Sequence, residues 1–174
     1  PVQFSNLPES LFLKDASVEE VELQLKSFSS LIQLPKNGDL IAEIDLSKTH
    51  IGTNKVLFRK EDFKLPSGVV ITRINPPAIR VVMENKIRKL VRVSPRLTGS
   101  LPAGLRLQSV KALPSEIMLE GPASVLSRID SIRTEEIQLK LLNRSVTVTR
   151  KLEIPAHIRT VSGESVSLRV QLAK

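Results

Sequence analysis

A chain of 174 residues with 41% hydrophobic content can build a core, either as one large domain or as two small ones. It has no cysteine, which excludes disulfides and thiolate metal sites, and no Trp or Tyr beside its five Phe, so the aromatic platforms that stack sugars and unpaired bases are missing. The net charge of +8 sits mostly in the second half: residues 90–174 carry 13 basic against 7 acidic side chains, residues 1–89 carry 13 against 11.

The chain opens at Pro1 beside the strand-like Val2-Gln3-Phe4, with no signal peptide and no initiator Met, and is expected to be a piece of a longer protein. No apolar run approaches the roughly 18 residues that cross a bilayer. Apolar residues recur at every second position over Val21–Leu25, Ile44–Leu46, Ile79–Met83, Ile117–Leu119, Ile137–Leu141, Val146–Val148 and Val166–Leu172, and each of these segments, like the core Leu90-Val91-Arg92-Val93, is predicted as a strand. Eleven prolines, often beside such segments, suit the edges and turns of a mainly β protein. Helix is expected only in short pieces, one of them at 123–130.

Self-comparison shows a repeat. Shifting the second half back by 94 residues puts Ile117 over Leu23, Leu119 over Leu25, Val125 over Leu31 and Leu126 over Ile32. The order of features is then the same in both halves: strand, corner, short helix, strand, long connection, strand with Pro, strand. The expected division is into residues 1–87 and 88–174, each small for a domain that folds alone.

Three groups of residues invite a functional reading. Gly121-Pro122 could bring backbone N–H groups to an anion at the start of the 123–130 helix, but only one glycine is present and the proline removes a donor, so a packing corner is the expectation. Lys86, Arg88, Lys89, Arg92 and Arg96 form the densest basic cluster and could contact a partner or a polyanion, but charges spaced along a strand make a line and not a pocket, so a solvated strand face that also guards an edge from pairing is the expectation. Reversing Arg88, Lys89 and Arg92 to Glu is expected to weaken partner binding without unfolding the chain. His50 and His157 fall at non-equivalent positions, Ser47, His50 and Asp45 lack a nucleophile elbow, and Asp39, Glu43 and Asp45 lack a calcium-loop spacing. No catalytic, cofactor-binding or metal-ligating residue is expected.

The stretch from Ser100 to Leu139, with its Leu-Pro-x-Gly opening, alternating strand ending in Gly-Pro, short helix and Thr-led strand, resembles the central signature of YbbR domains. The first half is similar in "IAEIDLSKTHIG" and "KLPSGVVITRINPPAIRVVME", with "LKSFSSLIQL" standing in for the Gly-Pro corner. The resemblance implies two tandem β-rich domains, strung on the outer face of a bacterial cytoplasmic membrane behind an N-terminal anchor. It also implies that the CdaR-like members regulate a membrane-bound diadenylate cyclase, and it offers no catalytic residues. The expected function is a non-enzymatic regulatory module that contacts a protein partner near the membrane or wall. The alternative is a β protein that binds RNA phosphate, which the missing aromatics disfavour.

Overall fold

The alternating segments become strands because a period of two sends one set of side chains to a core and the other to water. In the computed structural model, which describes all 174 residues, the protein is mainly β, with α-helix limited to one turn. The chain forms two units, Pro1–Asn85 and Lys86–Lys174. Strand β7 (Ala78–Thr98) therefore contributes its first eight residues to one unit and the rest to the other, and the position expected to divide the chain, after residue 87, lies within this strand.

The first unit contains β1 (Val2–Ser5), β2 (Leu11–Ala16), β3 (Glu22–Ser27), β4 (Ala42–Asp45), β5 (Gly52–Leu57), β6 (Val69–Asn75) and the start of β7. β1 pairs in parallel with β4, β2 and β5 flank β7 antiparallel, and β3 pairs antiparallel with β6. Its core is built where alternation points inward: Ile44 from β4, Leu46 just after it, and Ile79, Val81 and Met83 from β7 are all but sealed from water.

The second unit contains the remainder of β7, β8 (Arg106–Leu113), β9 (Glu116–Pro122), the single helical turn α1 (Ala123–Leu126), β10 (Ser131–Gln138), β11 (Val146–Lys151), β12 (Arg159–Thr160) and β13 (Ser165–Ala173). Here β7 pairs in parallel with β10, β8 and β11 flank β13 antiparallel, and β9 pairs antiparallel with β12. The second unit thus uses the pairing order of the first. One ladder is added: β9 also pairs with β7 from Lys86↔Pro122 to Arg92↔Glu116, which merges β10, β7, β9 and β12 into one sheet. Leu119, Leu126, Leu168 and Val170 are fully buried beneath these strands.

Three local expectations are corrected. The short helix expected after the corner in the first half does not form, since residues 28–32 are bend and turn. Alternation predicts strand through Leu141, but Leu139–Leu141 is a 3-10 turn and Leu141 is 72% exposed. The turn re-aims the chain so that Leu142, not Leu141, packs against the core. The helix expected over 123–130 covers only Ala123–Leu126. Beyond it the N–H groups of Arg128 and Ile129 reach carbonyls three residues back, at 3.2 and 3.1 Å, so the chain tightens and leaves the helix. One turn is enough to seat Leu126, which is fully buried.

Candidate functional site

In the second unit, Ile87, Val91 and Val93 of β7 turn toward the core, so Lys86, Arg88, Leu90, Arg92 and Arg96 share the outward face. Lys89 falls in the other set. Its ammonium reaches around to the carbonyl of Ser127 at 3.2 Å and the carboxylate of Asp130 at 3.1 Å. The line of five cations is thus four on one face and one on the opposite side.

Strand register then decides what the outward cations meet. β9 places Glu120 opposite Arg88, Met118 opposite Leu90 and Glu116 opposite Arg92, and β12 places Arg159 opposite Glu120 from the other side. Arg88, Glu120 and Arg159 therefore stand in one row across three strands. Arg88 Nε donates to Glu120 Oε2 at 2.8 Å, while Arg159 Nη2 and Nε donate to Oε1 at 2.6 and 2.9 Å. Lys86 Nζ lies 4.0 Å from the same oxygen.

The carboxylate is 7% exposed, whereas Arg88 and Arg159 are 63% and 67% exposed. Burial alone would raise the pKa of Glu120. The hydrogen bond from Arg88, and then that from Arg159, outweigh burial and hold the carboxyl below its usual range. Arg96 pairs with Glu153 at 2.9 Å, and among the five cluster cations only Arg92 makes no ion pair.

These pairs change what a reversal would test. A Glu at position 88 would face Glu120 directly, and one at 89 would lose Asp130, so only Arg92 can be reversed without disturbing an existing contact. Glu120 and Arg159 do not stand out in the sequence by composition or spacing. The available signal is a lone acid between Leu119 and Gly121 in an apolar run, which needs cations once it is buried.

Gly121 lies inside β9 opposite Ile87, with no left-handed backbone conformation. Its requirement is close approach: a Cβ there would lie 2.5 Å from Ile158 Cδ1 and 3.1 Å from the His157 carbonyl oxygen. Pro122 ends the strand opposite Lys86 and precedes α1 with φ −61°, a position where a missing N–H leaves nothing unpaired in the helix. A single helical turn holds no aligned dipole of consequence for an anion. Gly121 instead lets the end of β9 lie close against residues 157–158, immediately before Arg159.

Elsewhere, Asp45 accepts the backbone N–H of Ser47 at 2.8 Å, a bond that lowers its pKa, and the backbone N–H of His50 goes to Asn54 at 2.9 Å. Ser47, His50 and Asp45 form no proton relay. No cluster of three or more His, Asp and Glu side chains converges as metal ligands would. No helix is long and apolar enough to cross a membrane.

The chain is similar to several known proteins in structure and in sequence. The crystal structure of a YbbR-like protein from Streptococcus pneumoniae TIGR4 aligns with 99% of this chain and 91% of its own, at 18% identity and a TM-score of 0.47. The solution structure of SuR18C from Streptococcus thermophilus aligns with 51% of this chain and 86% of its own, at 18% identity and a TM-score of 0.42. In sequence, 99% of the chain is 21% identical to the CdaA regulatory protein CdaR of Bacillus subtilis (strain 168), and it spans 36% of that protein's length. Residues 91–172 match the family model described as YbbR-like protein. The chain is thus similar to YbbR-like proteins, and the match to the family model lies entirely within the second unit.

Proposed function

We propose that this chain is a non-enzymatic regulatory part of a longer bacterial protein, held on the outer face of the cytoplasmic membrane by an anchor, and that its partner is a membrane-bound diadenylate cyclase. The observation that carries the reading is the relationship, along 99% of the chain, to a protein named as the regulator of CdaA. The side chains support it from another direction. In the second unit Glu120 is held by Arg88 and Arg159 across three strands and Glu153 by Arg96, an arrangement that suits a charged contact surface.

The first unit is, on this proposal, a diverged copy of the same domain, since its strands pair in the same order. The basic face of β7 is the proposed contact with the partner, with Arg92 as the cation most available to it.

The test is co-expression of the full-length protein with the diadenylate cyclase of the same organism. Co-purification, together with a change in cellular cyclic di-AMP when residues 1–174 are deleted, is the expected result. Failure to co-purify with cyclic di-AMP unchanged would overturn the reading. RNA phosphate binding predicts instead a gel shift with duplex RNA that weakens steeply as salt rises.

A further inference from the structure

We infer that the outward face of the β12-β9-β7-β10 sheet recognises an acidic segment of a protein, extended along the sheet, with an apolar residue between its carboxylates. The inference rests on the regulatory reading above and gives that contact a chemistry.

Charge and its spacing carry the argument. Along β7 the outward positions run Arg88, Leu90, Arg92, and across the ladder Leu90 meets Met118. Arg133 of β10 stands opposite Ser94 on the same face, since its neighbours Ile132 and Thr134 are buried. The face therefore alternates guanidinium, apolar step, guanidinium, with about 6.6 Å between successive outward positions on one strand. That is the repeat of side chains along one face of an extended peptide. Leu90 is 53% exposed and offers the apolar contact at the centre.

The arginines are also prepared for carboxylates. Arg88 uses only Nε on Glu120, and Arg159 uses Nε and Nη2, so the remaining N–H donors of both guanidiniums are left for another acceptor. Glu120 holds the two in place before any partner arrives, which lowers the entropy lost on binding. Arg92 and Arg133 make no ion pair at all and add unpaired charge.

A nucleic-acid backbone fits this face poorly. Glu120 lies between Arg88 and Arg159, and Glu116 stands opposite Arg92, so the two acids would repel a continuous line of phosphates, while a peptide can place carboxylates opposite the arginines alone. The apolar step between Leu90 and Met118 has a use for a side chain and none for a phosphodiester.

The experiment is fluorescence anisotropy of the whole chain with a short labelled peptide of glutamates around a central leucine. Its controls are the same peptide with lysines for glutamates, a duplex RNA, and phosphatidylglycerol vesicles. The glutamate peptide should bind and the lysine peptide should not. R92E and R133E should each weaken binding roughly tenfold with unchanged melting, because neither arginine supports an ion pair, and L90S should weaken it about threefold.

Equal binding of both peptides, no effect of R92E and R133E, or tighter binding of RNA or vesicles through the same arginines would overturn the proposal. A protein that co-purifies with the cyclase but ignores the glutamate peptide sinks the acidic-segment chemistry and leaves the regulatory reading standing. One that takes the peptide while deletion of residues 1–174 leaves cyclic di-AMP unchanged sinks only the latter.

Discussion

The first unit keeps its parallel pair, β1 and β4, and its antiparallel pair, β3 and β6, as separate two-stranded sheets, while the second joins the corresponding strands through the β7–β9 ladder. The seven residue pairs of that ladder put β9 between two partners, whereas β3 has one. An acid on β9 can therefore be flanked by cations from both sides. At the corresponding position of β3 stands Lys26, exposed, with no ion pair. One strand-pairing scheme thus carries a prepared charged row in one unit and none in the other, and the difference lies in a single interstrand contact.

The largest expected effect separates the two units by packing. Leu119→Ala empties a fully buried site and should cost about 3–5 kcal/mol, while Leu25→Ala, at the matching half-buried position of β3, should cost about 1–2 kcal/mol. Urea unfolding followed by NMR signals from each unit measures both. Equal losses would mean that the central position of β9 confers no advantage.

Hydrogen exchange sharpens the same contrast. Backbone amides of β9, enclosed between β7 and β12, should exchange at least about tenfold more slowly than those of β3. Similar protection in the two strands would show that the added ladder is dispensable.

The acid response comes next. The pKa of Glu120 is lowered in the fold, so its pairs contribute stability that is present above its unfolded value, near 4.5, and lost as pH falls below that through the folded value. Asp45, also lowered, gives the first unit an acid response of its own. Replacing Glu120 with Gln should flatten the loss of stability below pH 4.5 for signals of the second unit and leave the first unit's profile unchanged. A profile identical to wild type in the second unit would mean that the pairs add nothing to stability.

The smallest effect belongs to the peripheral pair. Arg96→Ala removes a contact with Glu153 in which both side chains are more than 40% exposed, and melting should report no more than about 0.2–1 kcal/mol. A larger loss would make this pair part of the frame that supports the row.

Much of the fold is legible before any coordinates. Alternation marks β4 and β13, since each has one buried face and a polar one, and it marks Ile117 and Leu119 of β9, whose last four residues are all buried. It overruns at Leu139–Leu141, where the letters keep their period while the chain turns to bring Leu142 inward. β2 and β8 escape a period-two reading because Leu11-Phe12-Leu13 is continuous and β8 buries only Ala112 well. The basic residues of β7 are plain in the sequence, but their roles depend on register. Nothing in the letters says that Arg88 stands opposite Glu120, or that Arg159, from a two-residue strand, arrives on the other side.

Gly121 gives the charged row an unexpected dependence. The residue bears no charge and is buried, yet any side chain there must push on Ile158 and the His157 carbonyl, immediately before Arg159. Variation across related chains should therefore be correlated in a particular way. Exposed arginines could drift singly, whereas a side chain gained at 121 would release the row as a unit, so recognition could be lost in descent by a substitution that leaves every surface residue unchanged.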